Sequence, residues 1–393
     1  MPSHERENAR KEKQRKNDLK TKRIIWIILI LIIFVLAVLK VCEIDFSSLK
    51  SRFTDSDGKF SISLKTQENA YPFELDSSSG VKISDNNDKL NVLTDQSLTV
   101  LNPGDAEVIY TFDHGYANPI IRYSKPYFCL IDQGASRFRL DTNNENIYEE
   151  KTELPILCAD VAGNGTVVYA TKGKDVKSTL FVINSKLDHK MTLDVNDGYI
   201  VSVAIDSSGK KLAFATMNSK DAKKVITVHT MSVGDTSPKA TFDFVDTNIL
   251  DLHYSNSSDL YFVGSDTVAV ITSQKNLKEV FKKGSVYTQD FSYTSNNELV
   301  YAGSDFSESA QSTLSYITSS GKIKTSIELK QKIKDVSSHS NEICVLYDDS
   351  IEVYSLTKGD LKDTYKCDSS VKSINQMSNK IFAHRQKLIT VIE

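Results

Sequence analysis

The sequence predicts an all-β fold, an eight-bladed β-propeller that follows one N-terminal transmembrane helix. Three observations predict it. One hairpin pattern recurs eight times, beginning near Ser97 (SLTVLNPGDAEVIYTF), Ser136, Thr179, Val225, Thr267, Thr313 (TLSYITSSGKIKTSI), Ser350 (SIEVYSLTKGDLKDTY) and Leu388, where LITVIE stops halfway. A period of about 40 residues in strand-like sequence marks a propeller blade. From about Ala70 the pattern becomes short alternating strands separated by turn residues, with no convincing helix after the apolar run. Nearer the N-terminus, Ile24 to Leu39 is an unbroken apolar run of sixteen residues.

The elements follow in chain order. Residues 1–23 form a basic arm with nine Lys/Arg against four acids, a charge of +5. Residues 24–42 form the span. At about 1.5 Å per residue the run reaches across a thin bilayer once Lys40 extends toward the headgroups. Trp26 sits at one interface, and the arm ending at Arg23 sets the N-terminus cytoplasmic and the propeller outside. Arg23, Trp26 and Lys40 are thus the anchor residues of a single-pass protein of the cell membrane. A cleaved signal peptide is the other reading; the run exceeds the ~7–15 residues of a signal core. Residues 43–68 are polar and aperiodic and read as a stalk, and residues 69–393 as the extracytoplasmic propeller.

Each blade needs four strands. In the blade opening at Tyr199, strand A is YIVSVAI, the turn is Asp206 to Gly209, strand B is KKLAFAT, strand C begins at Val225 and strand D ends near Phe244. Gly209 supplies the positive φ of a tight hairpin. Lysines in the D strands, such as Lys278, Lys282, Lys283, Lys322, Lys324 and Lys330, suit an outer edge that must not pair with other chains. The last repeat supplies A from Val371, B from Lys380 and C from Leu388, and lacks D. Tyr71 to Leu75 is extended and unclaimed, so it is expected to close the ring beside Leu388. Without that pairing the count falls to seven blades.

Charge and motifs narrow the function. Residues 43–393 carry −9, which argues against nucleic acid. Cys129, Cys158 and Cys344 lie in apolar strands and read as small buried hydrophobes, and no CxxC pair occurs. The seven histidines are scattered, and HExxH, GxSxG, a Walker loop and a dinucleotide fingerprint are all missing. No cofactor is expected.

Two groups of residues are candidates for binding. Asp251, Asp290 and Asp335 occupy one place on strand A of three successive blades, where Cys158, Ser202 and Ser373 stand in others. Strand A is innermost, so this column borders the central channel. The carboxylates could take a cation or an amine, or accept backbone N–H groups of neighbouring turns. His114, Tyr116, Tyr199 and Tyr287 lie in the connectors from strand D to the next strand A, which gather on one face. There tyrosines either anchor a peptide or sugar or pack between blades.

The hairpin IDSSGKKLAFAT resembles the SPDGK-x-LAF hairpin of TolB-like and WD-type propellers. The C–D hairpins resemble those of quinoprotein-type, BamB-like propellers. Basic arm, single span and degenerate blades together are similar to membrane-anchored propeller proteins of Gram-positive bacteria. The only tryptophan is Trp26, so neither the WD dipeptide nor the tryptophan docking of quinoprotein blades is present. The resemblance implies a binding platform outside the cytoplasm whose partner is an envelope protein or a wall component. A propeller enzyme acting on extracellular glycans, with carboxylates from separate blades, and a small-ligand sensor both remain open; the sequence sets no oligomeric state.

Overall fold

The computed structural model describes residues 71–306, 311–377 and 379–392. The basic arm, the expected span with Arg23, Trp26 and Lys40, and the polar stalk lie outside these residues. Among the described residues there is no helix, hence none long and apolar enough to cross a membrane.

Eight four-stranded antiparallel sheets form the ring, which settles the count at eight rather than seven. Blade 1 covers 82–113, blade 2 119–151, blade 3 156–195, blade 4 199–245, blade 5 249–281, blade 6 287–329 and blade 7 335–366. Blade 8 takes strands A to C from 371–392 and its outer strand from Phe73–Glu74. The closing register is Phe73 opposite Ile389 and Glu74 opposite Leu388. The Leu75 N–H extends it by donating to the Lys387 carbonyl at 2.7 Å. Closure therefore follows the pairing that the missing D strand demands.

Packing between blades explains the apolar runs. Successive side chains of a strand point to opposite faces, and each inner sheet has a neighbouring blade on both faces. In strand B of blade 4, Leu212 and Phe214 pack against Val168 and Leu180 of blade 3. Ala213 and Ala215, between them, pack against Leu252 and Phe262 of blade 5. Phe244 stacks on Phe262 with ring centroids 3.8 Å apart. Burying a side chain such as Phe262 completely is worth roughly 2–3 kcal/mol. Strand D covers only one side, so its exposed positions carry charge, as at Lys278 and Lys324.

Turn chemistry fixes the hairpins. Gly209 has φ +70°, and the Asn164 side chain lies within 3 Å of where a Cβ would stand, so both conformation and space require glycine. The Asp206 carboxylate accepts the Lys210 and Lys211 N–H groups at 2.8 and 2.7 Å. Those bonds hold its pKa below the ordinary value although burial pulls the other way.

Strand A carries a recurrent irregularity. Its register to strand B shifts between Ile156 and Cys158, Ile200 and Ser202, Ile249 and Asp251, Thr288 and Asp290, and Val371 and Ser373. A bulge bends its strand and re-aims the following side chain. Here it falls at the same level of five blades, just before the residue of the aspartate column.

Candidate functional site: the central channel and one loop face

The inner strands surround a cavity of about 700 Å³. Its wall is polar: Ser84, Arg122, Asp160, Asp251, His253, Tyr293, Asp335, Ser338 and Asn375 contribute, with Lys125, Asn256 and Asn297 toward the A–B turns. A second cavity of about 180 Å³ lies among blades 2 to 5, against Cys158, Ser202 and Leu250. Arg122 lines both.

Arg122 organises the charges. It projects from strand A of blade 2 (Pro119–Ser124) and donates from Nη2 to Oδ1 of Asp251 at 2.9 Å. Asp251 belongs to blade 5, so the ion pair links blades three places apart. The Tyr293 hydroxyl of blade 6 donates to the other oxygen of Asp251 at 3.0 Å. The Asp251 side chain is 5% exposed while that of Arg122, which lines both cavities, keeps 37% of its surface. Asp251, and more weakly Asp160, raise the pKa of the guanidinium. His253 stacks on Tyr293 at 3.9 Å, and burial lowers its pKa, so the ring is neutral.

The three column aspartates divide. Asp290 accepts the N–H of Val336 in blade 7, and Asp335 accepts the N–H of Ile374 in blade 8, each at 2.7 Å. Both therefore staple their blade to the next. Their carboxyls also hydrogen-bond each other, and burial with mutual repulsion raises the pKa of the pair, so that the two share a proton. Asp251 stands apart from them, held by Arg122. Among the described residues no group of three or more His, Cys, Asp or Glu is arranged to hold a metal ion.

One carboxyl of this wall escaped the sequence reading. Asp160 accepts the N–H of Ile205 in blade 4 at 2.9 Å. Burial pushes its pKa up to about 7 against the opposing pull of Arg122 and the Ile205 N–H. It lies two residues beyond Cys158, the column residue of its blade, and so outside the alignment that exposed the others.

These raised values have a consequence for stability. A buried carboxyl that keeps its proton in the fold, and ionises near 3.8 when unfolded, makes folding take up protons. Its contribution is full below that ordinary value and is lost as pH rises through the folded one. For Asp160 the loss runs up to about pH 7, and for the Asp290–Asp335 pair it continues upward in the same sense. The thermal midpoint should fall between pH 5.5 and 8.5, by about 3 °C or more, and fall less in a variant carrying both Asp160→Asn and Asp335→Asn. A midpoint that rises with pH in the wild type would show that these groups are ionised in the fold.

The connector residues also divide. His114 and Tyr116 are buried between blades 1 and 2. His114 Nδ1 accepts the Tyr116 N–H at 3.0 Å and its Nε2 lies 3.2 Å from the Thr94 carbonyl, which fixes the Nε2–H tautomer. Arg137 covers the Tyr116 ring at 4.9 Å. Tyr199 and Tyr287 instead face outward, 51% and 39% exposed. The same face of blades 4 to 6 also exposes Met217, Val245, Leu250 and Phe306. Blade 4 adds a projection there: strands Lys211–Lys220 and Lys223–Ser232 run ten residues each, and residues 217–223 are all exposed.

Comparison with known proteins places the chain. Residues 59–393 match the model of a family of unknown function, DUF5711. The chain belongs to this family. No curated protein matches the sequence. Among solved structures, the C-terminal WD40 domain of Sif2 is 12% identical over 82% of this chain and 97% of its own, with a TM-score of 0.55. Apo AztD from Citrobacter koseri is 9% identical over 79% of this chain and 88% of its own, with a TM-score of 0.54. BamB from Moraxella catarrhalis is 10% identical over 83% and 96%, with a TM-score of 0.49. At these identities the likeness to the Sif2 domain and to AztD shows the fold alone, and the DUF5711 chain is a propeller.

Proposed function

We propose that the protein is a membrane-anchored platform that presents the connector face of blades 4 to 6 to a protein partner in the cell envelope. One observation carries this reading. Tyr199, Met217, Val245, Leu250, Tyr287 and Phe306, all exposed, lie on the same face of three successive blades. Exposed apolar residues gathered on one face, unlike single scattered ones, suit recognition of another protein. The projecting hairpin of blade 4 supplies an edge beside them. The backbone beneath is a closed ring, so little ordering is needed on binding. The anchor rests on the expected span 24–42, with its apolar run Ile24 to Leu39, and on the basic arm before it, which support a propeller outside the cytoplasm.

The test uses the full chain, extracted from its own membrane in mild detergent and examined for proteins held in stoichiometric amount. A partner should be present and should fall at least about tenfold when Tyr199, Leu250 and Tyr287 all become Ser. An unaltered thermal midpoint would show the variant ring to be intact. A partner retained by that variant would move the interface to another face. A protein recovered alone would remove the platform reading.

A further inference from the structure

The channel offers chemistry that the platform reading does not use. From the placement of Arg122, Lys82 and Asp335 around one polar cavity we infer that the propeller holds a small zwitterion there, an amino acid or short peptide with both termini free. The carboxylate would meet Arg122 and Lys82, and the ammonium the Asp335 side.

The cationic end is incompletely satisfied. Among the described residues the Arg122 guanidinium makes one hydrogen bond, to Asp251 from Nη2, and Nε and Nη1 have no partner there. A guanidinium presents its donors as a planar fork that matches a carboxylate. Lys82 lines the same cavity, has no carboxylate partner among the described residues, and is close enough to Arg122 for the two charges to repel. An anionic group between them relieves that repulsion.

The acidic end complements it. Asp335 faces the cavity with Asp290 behind it, and each carboxyl already accepts a backbone N–H. Among the described residues no lysine, arginine or histidine forms an ion pair with either one. The nearest basic side chain in sequence, Lys334, is committed to Asp348 at 2.8 Å. The pair shares a proton where a cation would otherwise stand. Lys82 and Asp335 each open strand A of their blade, paired with Leu93 and Leu346, and the two blades are separated only by blade 8. Opposite charges thus flank one cavity at a single level. Its volume of about 700 Å³ is in the range of small-molecule sites, and its serines and asparagines suit the peptide groups between two charged ends.

The probe is the dipeptide alanyl-alanine, titrated calorimetrically against the full chain in detergent, with N-acetyl-alanyl-alanine and alanyl-alanine amide as controls. The free dipeptide should bind, and each control should bind at least about tenfold more weakly. Asp335→Asn, which still accepts the Ile374 N–H, should weaken the dipeptide to the level of the acetylated control. Lys82→Ala removes a side chain that makes no hydrogen bond or ion pair among the described residues, so it should weaken binding and shift the thermal midpoint by no more than about 1–2 °C. No heat of binding at millimolar dipeptide overturns the proposal. So does binding in which a blocked terminus costs nothing, or binding that survives both substitutions. The platform reading stands or falls separately, because none of these residues lies on the connector surface.

Discussion

A chain beginning at Ser77 is expected to unfold about 5–10 °C below a chain beginning at Asn69. The difference between them is the outer strand of blade 8. Leu75 is buried in a core with Leu90, Leu101, Phe382 and Ile389, and Tyr71 and Phe73 pack against the same group. The Tyr71 ring lies 5.4 Å from that of Phe382. Burial of these three side chains is worth about 4–6 kcal/mol, as an upper estimate. The shortened chain also leaves strand Leu388–Ile392 without its outer partner, an edge that other chains can pair with. Lower solubility should accompany the lower midpoint. Equal midpoints for the two chains would mean that the ring does not depend on this closure.

Arg122→Gln is expected to cost about 2–3 kcal/mol. Breaking a fully buried ion pair by removing one partner costs about 3–5 kcal/mol, and the Arg122 side chain is 37% exposed, so solvent screening reduces the figure. What remains is the cost of leaving Asp251, 5% exposed, without its cation. Asp251→Asn alone should cost less, since an amide carries no charge to desolvate and can still accept the Tyr293 hydroxyl. The double variant should then recover about 1 kcal/mol or more against the sum of the singles. Denaturant unfolding of the four proteins reads this directly. Strict additivity would show that the two residues are hydrated independently and that the pair contributes nothing to the ring.

Much of the fold was legible in the sequence because propeller blades repeat their local rules. The turn at Gly209, the apolar run of strand B and the lysines of strand D each have a cause within a few residues. The closing strand was legible because an incomplete last repeat must find its fourth strand at the other terminus. The aspartate column was visible because strand A recurs at the same place in each blade, with Asp251 and Asp290 each just after a bulge and Asp335 opening its strand. Its division was not visible. Arg122 and Asp251 are 129 residues apart, and nothing local links them. The one available signal was an arginine inside the otherwise apolar and aromatic strand PIIRYS, where a charge needs a partner. Asp160 was hidden by its offset of two residues from Cys158. The tyrosines of the connectors could not be sorted either. Tyr116 and Tyr199 each follow a glycine in similar turns, and only the neighbouring Arg137 and His114 decide that one is covered and the other open.

The pairing of Phe73 with Ile389 also sets a timetable. Synthesis delivers the first residue more than 300 positions before the second. Blades 1 to 7 can form hairpin by hairpin as the chain emerges, since each of their strands pairs with a neighbour in sequence. The segment around Phe73 has no partner during all of that interval. Ring closure therefore has to wait until the strand Leu388–Ile392 has been made. Loss of the strand Leu388–Ile392 alone would leave seven blades complete and the ring open.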